Sequence, residues 1–143
     1  DYLRNATDAF DSISNSKYQA LTNAASLAAI YSKAKLIIVF DEEGELSLRL
    51  SKSRPVSNII CVTSDIKVAR RLTILWGVYS YLIDNKNSVD TDNKFKFVNV
   101  ISNLYGLKNG DKVLLLRTKV KHDYDIKEET LRIITIDQNI PIY

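Results

Sequence analysis

Three short, uninterrupted apolar runs constrain this chain more than any other feature: Leu36-Ile37-Ile38-Val39-Phe40, Ile59-Ile60-Cys61-Val62 and Val113-Leu114-Leu115-Leu116. A strand with one wet face alternates apolar and polar residues, whereas a continuous short run suits a strand buried on both faces. Such strands belong to a sheet covered by helices. A weaker run, Val78-Tyr79-Ser80-Tyr81-Leu82-Ile83, has the aromatic and β-branched content of a fourth strand. The tail Thr130-Leu131-Arg132-Ile133-Ile134-Thr135-Ile136 begins with strand-like alternation and makes a fifth.

Helical stretches lie between them. Residues 18–34 are rich in Ala and Leu, and Ala24, Ala25, Ala28 and Ala29 would let that helix sit close to a sheet. Residues 45–53 place Leu46, Leu50 and Ser53 on one side and stop before Arg54-Pro55, where proline disfavours further helix. Ser64-Asp65 offers an N-cap for a helix over 66–76, with Gly77 as its C′ residue. Residues 92–105 put Phe95, Val98, Ile101, Ser102 and Tyr105 at helical spacing and end at Gly106. The turn Lys108-Asn109-Gly110-Asp111 then feeds the Val113 strand, since Asn-Gly readily supplies positive φ. Residues 117–129 read as a polar loop closing a hairpin between the last two strands.

The order is helix, helix, strand, helix, strand, helix, strand, helix, strand, strand. That alternation predicts a mainly parallel sheet with right-handed crossovers. The expected fold is a three-layer α/β/α sandwich on a mostly parallel five-stranded sheet. At 143 residues the chain is one domain, and 45% hydrophobic with 26% charged residues is an ordinary globular balance. No stretch approaches the roughly 20 apolar residues that span a bilayer. The net charge of +3 comes from interspersed signs, with no basic stripe of the kind that tracks phosphates, so neither nucleic acid nor membrane is expected as a partner.

Cys61, the single cysteine, cannot form an internal disulfide and reads as a buried, inert thiol. With one histidine beside it, a protein-only zinc site is excluded in practice. A reducing compartment fits, so a cytoplasmic location is expected, with an organellar form left open. The start, Asp1-Tyr2-Leu3-Arg4, reads as if the chain were cut from something longer.

Ligands of such sheets bind beyond the C-terminal ends of the strands. The first such corner is Asp41-Glu42-Glu43-Gly44-Glu45-Leu46, directly before a helix. Phosphate cradles need glycines and backbone N–H groups with hydroxyls or cations nearby. One glycine among four carboxylates argues against one. The carboxylates read first as a solvated helix N-terminus, with Mg²⁺ binding as the alternative. Phospho-acceptor receiver domains also carry acids after such a strand, but Asp65 is better placed as a helix cap than as the acceptor. His122, in Lys121-His122-Asp123, reads as a solvated loop residue rather than a general base, because no nucleophile elbow accompanies it. Trp76 reads as packing, and Tyr79 and Tyr81 share one strand face suited to core or interface packing. The residues alone assemble no catalytic constellation.

One resemblance covers most of the chain. Leu36 to Phe40, Gly44, Arg54-Pro55, Ile59-Ile60-Cys61-Val62-Thr63, Ala69-Arg70-Arg71 and Trp76-Gly77-Val78 resemble the C-terminal domain of pyruvate kinase. That family reads as a strand, a Thr-x-Ser-Gly-x-Ser loop, a helix ending Arg-Pro, a strand ending Val-Thr, and a helix running into Gly-Val. The spacing matches over 36–81 without a gap. Gly110-Asp111-Lys112-Val113-Leu114 resembles the family's Gly-Asp-x-Val strand entry, and residues 20–34 its Ala-rich helix.

The resemblance implies strand order 3-2-1-4-5 with the last strand antiparallel. It implies a parent enzyme that transfers phosphoryl from phosphoenolpyruvate to ADP with Mg²⁺ and K⁺. The catalytic groups would lie in an upstream barrel domain of the same chain, so the fragment itself would carry no cofactor and no activity. It further implies a homotetramer, with the helix bearing Phe95 and Val98 or the last strand as the interface. In that family the loop also helps bind a sugar bisphosphate. Here Asp41 takes the Thr position, Glu43 the first Ser, Glu45 follows Gly44, and Leu46 takes the second Ser. The later loop over 118–127 lacks the family's glycines. Classical sugar-bisphosphate activation is therefore expected to be lost, with inter-subunit salt bridges an alternative use of the acids. A stand-alone, non-enzymatic interaction module remains the rival reading.

Overall fold

The computed structural model describes residues 17–76, 78–84 and 93–137. Its elements are α1 (Gln19–Ser32), β1 (Leu36–Phe40), α2 (Glu45–Lys52), β2 (Asn58–Thr63), α3 (Ile66–Trp76), β3 (Tyr79–Leu82), α4 (Asn93–Leu104), β4 (Lys112–Lys121), a single 3₁₀ turn (His122–Tyr124) and β5 (Ile126–Thr135). Among the described residues one helix, α1, precedes β1, against two in the expected order, and Gly77 lies outside the described residues.

The sheet runs β3-β2-β1-β4-β5. β1 pairs in parallel with β2 and β4, β2 pairs in parallel with β3, and only β4–β5 is antiparallel. This is the expected order. The three apolar runs fall on the three central strands because each must fill two cores. Ile37 and Val39 join Cys61, Leu114 and Leu116 in a layer with Ala25 and Ala29 of α1, Leu46 and Leu50 of α2, and Val68 and Leu72 of α3. Leu36, Ile38 and Phe40 face the other way, onto Val98 and Ile101 of α4. Ile37, Ile38 and Val39 are all 0% exposed. Burying each such side chain is worth roughly 1.5–3 kcal/mol, so the strand interiors hold only packing and any chemistry is pushed to the strand ends.

The boundaries follow local signals. α1 stops where Lys33 turns left-handed (φ 57°), its N–H bonding the carbonyls of Ala29 and Ile30. Ala25 and Ala29 meet the sheet as expected, while Ala24 faces outward. α2 gives way to Arg54 at φ 50°, just before Pro55. Asp65 caps α3: its Oδ1 accepts the Lys67 N–H at 2.9 Å, and its own N–H donates to Thr63 Oγ1 at 3.1 Å. α4 closes on Gly106 (φ 71°), with the Leu107 N–H returning to Ser102 O at 2.9 Å.

One expectation needs correction. Residues 117–129 are not a loop: β4 and β5 run through them, and only residues 122–125 lie between the strands. Opposed charges support this extension, since Lys119 sits opposite Glu128 in the ladder. Tyr79 and Tyr81 do share a face, packing edge-on against Tyr105 (5.9 Å) and Phe97 (6.2 Å). Tyr81 packs against the α4 layer and Tyr79 is half exposed at its margin.

Candidate functional site

Gly44 ends the β1–α2 corner and begins α2, and its conformation sets the corner's shape. Its φ of +84° is strained for any residue with a Cβ, and a Cβ there would lie 2.8 Å from Val68 Cγ1 of α3. The turn folds Asp41 back over the start of α2. Its Oδ1 accepts the Gly44 N–H at 3.0 Å and its Oδ2 the Ser47 N–H at 2.9 Å. These are helix-start donors of the kind that bind anions. A carboxylate of the chain itself already holds them.

Each remaining residue of the acidic corner has a separate placement. Glu42 reaches to the end of β2, where its carboxylate accepts the Ser64 hydroxyl at 2.6 Å and the Ser64 N–H at 3.2 Å. Glu45 pairs with Lys17 at 2.8 Å and with Arg49 one turn on at 3.3 Å. Leu46 is 1% exposed, in the core with Leu50. Glu43 alone among them is exposed. The expectation of a solvated helix N-terminus is thus corrected for Asp41 and Glu42, which fold back onto hydrogen-bond donors, while Glu45 stays partly exposed in its ion pairs. Among the described residues, no group of three or more His, Cys, Asp or Glu side chains is placed to hold a metal ion.

Burial shows in the titration of these groups. Desolvation raises the Asp41 carboxyl above its ordinary value despite the two N–H bonds, and the nearby Glu43 charge adds to the rise. Glu45 moves the other way, lowered chiefly by its hydrogen bond to Lys17. Cys61 is buried as expected, and burial pushes its thiol up to about 12, which leaves it inert.

Above the corner lies a cavity of about 450 Å³ at the C-terminal ends of β1 and β4. Its lining includes three acids, Asp41, Glu42 and Glu43, and three cations, Lys17, Arg117 and Lys127. Lys17 and Lys127 also lie over the ring of the cavity's tyrosine, 5.2 and 5.0 Å from the Tyr18 ring centre. None of these cations was singled out in the sequence, because they come from the start of α1 and from two strands far along the chain. Ser47 was missed for a similar reason. Its part is played by a backbone N–H, which every residue has. Asp65 sits in its cap and away from this cavity, and the side chains of His122 and Trp76 lie outside the described residues.

Residues 19–134 match the family model described as "Pyruvate kinase, alpha/beta domain". The chain belongs to this family. The pyruvate kinase of Lactococcus lactis is 34% identical over 83 residues, which is 57% of this chain and 16% of that protein. The pyruvate kinase of Staphylococcus haemolyticus is 29% identical over 90 residues, 63% of this chain and 15% of the relative. Among solved structures, Cryptosporidium parvum pyruvate kinase in complex with ADP superposes with a TM-score of 0.70 at 26% identity, covering 81% of this chain and 23% of that one. The match therefore spans less than a quarter of each of these pyruvate kinases. It makes the order β3-β2-β1-β4-β5 that of a pyruvate kinase α/β domain and displaces the receiver reading of the acidic corner.

Proposed function

We propose that this chain is the C-terminal regulatory and assembly domain of a pyruvate kinase whose effector loop is held shut by its own carboxylates. The parent enzyme would transfer phosphoryl from phosphoenolpyruvate to ADP, giving pyruvate and ATP in cytoplasmic glycolysis. Its Mg²⁺ and K⁺ would be held by residues outside this chain, in a barrel domain to which this one is joined. Phosphoryl transfer depends almost wholly on positioning and charge neutralisation, so the chain by itself would not catalyse it.

One observation carries the regulatory half of this reading. Asp41 occupies the N–H groups of Gly44 and Ser47, and Glu43 and Glu45 flank the same turn. An incoming phosphate would have to displace a half-buried, hydrogen-bonded carboxylate and sit among like charges. The mixed-sign cavity gives no net attraction to make up for that, since its three cations face three acids.

The test of the enzymatic half is phosphoryl transfer by the full-length protein beside the 143-residue chain. The proposal expects pyruvate formation from phosphoenolpyruvate and ADP by the former and none by the latter. A full-length protein that folds, binds neither substrate and makes no pyruvate would instead establish the non-enzymatic module.

A further inference from the structure

The ribbon of β4 and β5 outruns the rest of the sheet, and with it the cavity above the acidic corner becomes a site of mixed charge. β1 ends where Phe40 pairs with Arg117, whereas the β4–β5 ladder continues to Lys121↔Ile126. The cavity of about 450 Å³ is lined by that ribbon, the β1–α2 corner and the start of α1. Its size is that of a small-molecule site. The acids Asp41, Glu42 and Glu43 all belong to the corner, and the cations Arg117, Lys127 and Lys17 to the ribbon and the start of α1. Neighbouring strands stand about 4.8 Å apart, so β1 and the two ribbon strands set the two signs roughly 5–10 Å apart at the backbone.

Hydrogen bonding leaves some of these groups occupied and others open. Asp41 holds the N–H groups of Gly44 and Ser47, and Glu42 holds Ser64. Glu43 is exposed and, among the described residues, makes no hydrogen bond or ion pair. The Lys127 ammonium lies over the Tyr18 ring and, among the described residues, donates to no acceptor. The Lys17 pKa is raised first by its hydrogen bond to Glu45, and the Glu43 charge adds to the rise, so the open acid lies within the field of a cavity cation. Phe40, Val62 and the half-exposed Val120 give the lining its apolar part.

We propose that this cavity binds a small zwitterion, an amino acid with an apolar side chain, its ammonium on Glu43 and its carboxylate on Lys127. The inference rests on the reading of the corner as closed to sugar bisphosphates and names what the same site takes instead. Charge decides among the ligand classes. An anion would meet three carboxylates, and an organic cation would meet three basic groups. A zwitterion brings one charge of each sign, pairs both open groups and adds no net charge. Its two charge-assisted hydrogen bonds of about 2.8 Å, with the length of the amino acid between them, bridge the corner and the ribbon. The Tyr18 ring holds the Lys127 ammonium by cation–π attraction, so the carboxylate meets a positioned donor. Tyr18 itself has a left-handed backbone, with φ 61°. That conformation is uncommon for a bulky residue, and such strain gathers at ligand clamps.

Isothermal titration calorimetry of the full-length protein with L-leucine tests this. Leucine should bind, and two analogues should each bind about tenfold more weakly or worse: 4-methylpentanoate, which lacks the ammonium, and 3-methylbutylamine, which lacks the carboxylate. Glu43→Gln and Lys127→Met, both at exposed positions, should each weaken leucine binding about tenfold, the usual effect of losing one charged hydrogen bond. Their thermal unfolding should match that of wild type, which separates a lost contact from a lost fold. Absence of leucine binding, equal binding by either analogue, or leucine binding that both variants leave intact overturns the proposed site. Fructose 1,6-bisphosphate, titrated separately, tells this failure from that of the reading beneath it. Its binding would overturn the closed corner, whereas no binding of either ligand overturns the zwitterion site alone.

Discussion

Asp41 accepts two backbone N–H bonds, yet burial lifts its carboxyl above the ordinary value, so desolvation outweighs hydrogen bonding at this residue. The sign of its pH dependence follows. An acid whose folded value is raised contributes most below its unfolded value and loses that contribution as pH rises through the folded one. Urea unfolding of wild type and Asp41→Asn across about pH 3 to 7 should show the wild type losing stability relative to the variant as pH rises above the ordinary carboxyl value of 3.8. A difference that grows in wild type's favour with pH would mean that the N–H bonds dominate. Gly44 allows a second residue-level check. Gly44→Ala combines a φ of +84° with a Cβ 2.8 Å from Val68 Cγ1 and 3.2 Å from Leu72 Cδ1. The positive φ and the overpacking together should destabilise by about 1–3 kcal/mol. Unfolding free energy within about 0.5 kcal/mol of wild type, the usual range for an inconsequential surface change, would show that the corner is slack.

At the scale of elements, α3 depends on its first turn. Asp65 Oδ1 holds the Lys67 N–H, and Thr63 Oγ1 in turn holds Asp65. Asp65→Ala should therefore cost about 1 kcal/mol in chemical unfolding, and an unchanged midpoint would show that α3 needs no cap. That cap was legible in the sequence, as were all three central strands, because both signals are local: a Ser-Asp pair before a helical pattern, and unbroken apolar runs. The β4–β5 hairpin was read too short. Its outer half is built from Thr118, Lys119, Glu128 and Glu129, which resemble a polar loop until the ladder sets Lys119 opposite Glu128 and Thr118 opposite Glu129. The acidic corner was located correctly but read too wet. What makes Asp41 an internal cap is its bond to Ser47, six residues on, and what holds Glu45 is Lys17, 28 residues back. No spacing rule reaches that far.

For the whole molecule, the α/β frame and the corner do different things. The frame is that of a pyruvate kinase α/β domain, with two apolar layers fixing the sheet. The corner at its C-terminal edge satisfies its own helix start, so binding a sugar bisphosphate there would require removing Asp41 and tolerating Glu43 and Glu45. The proposed function holds that this closure leaves the parent protein unresponsive to a sugar bisphosphate. The most direct test is the initial rate of the full-length protein at subsaturating phosphoenolpyruvate, with and without fructose 1,6-bisphosphate. The account predicts the same rate in both. Strong activation by the sugar would contradict it, and would place the phosphates on groups other than the turn that Asp41 closes.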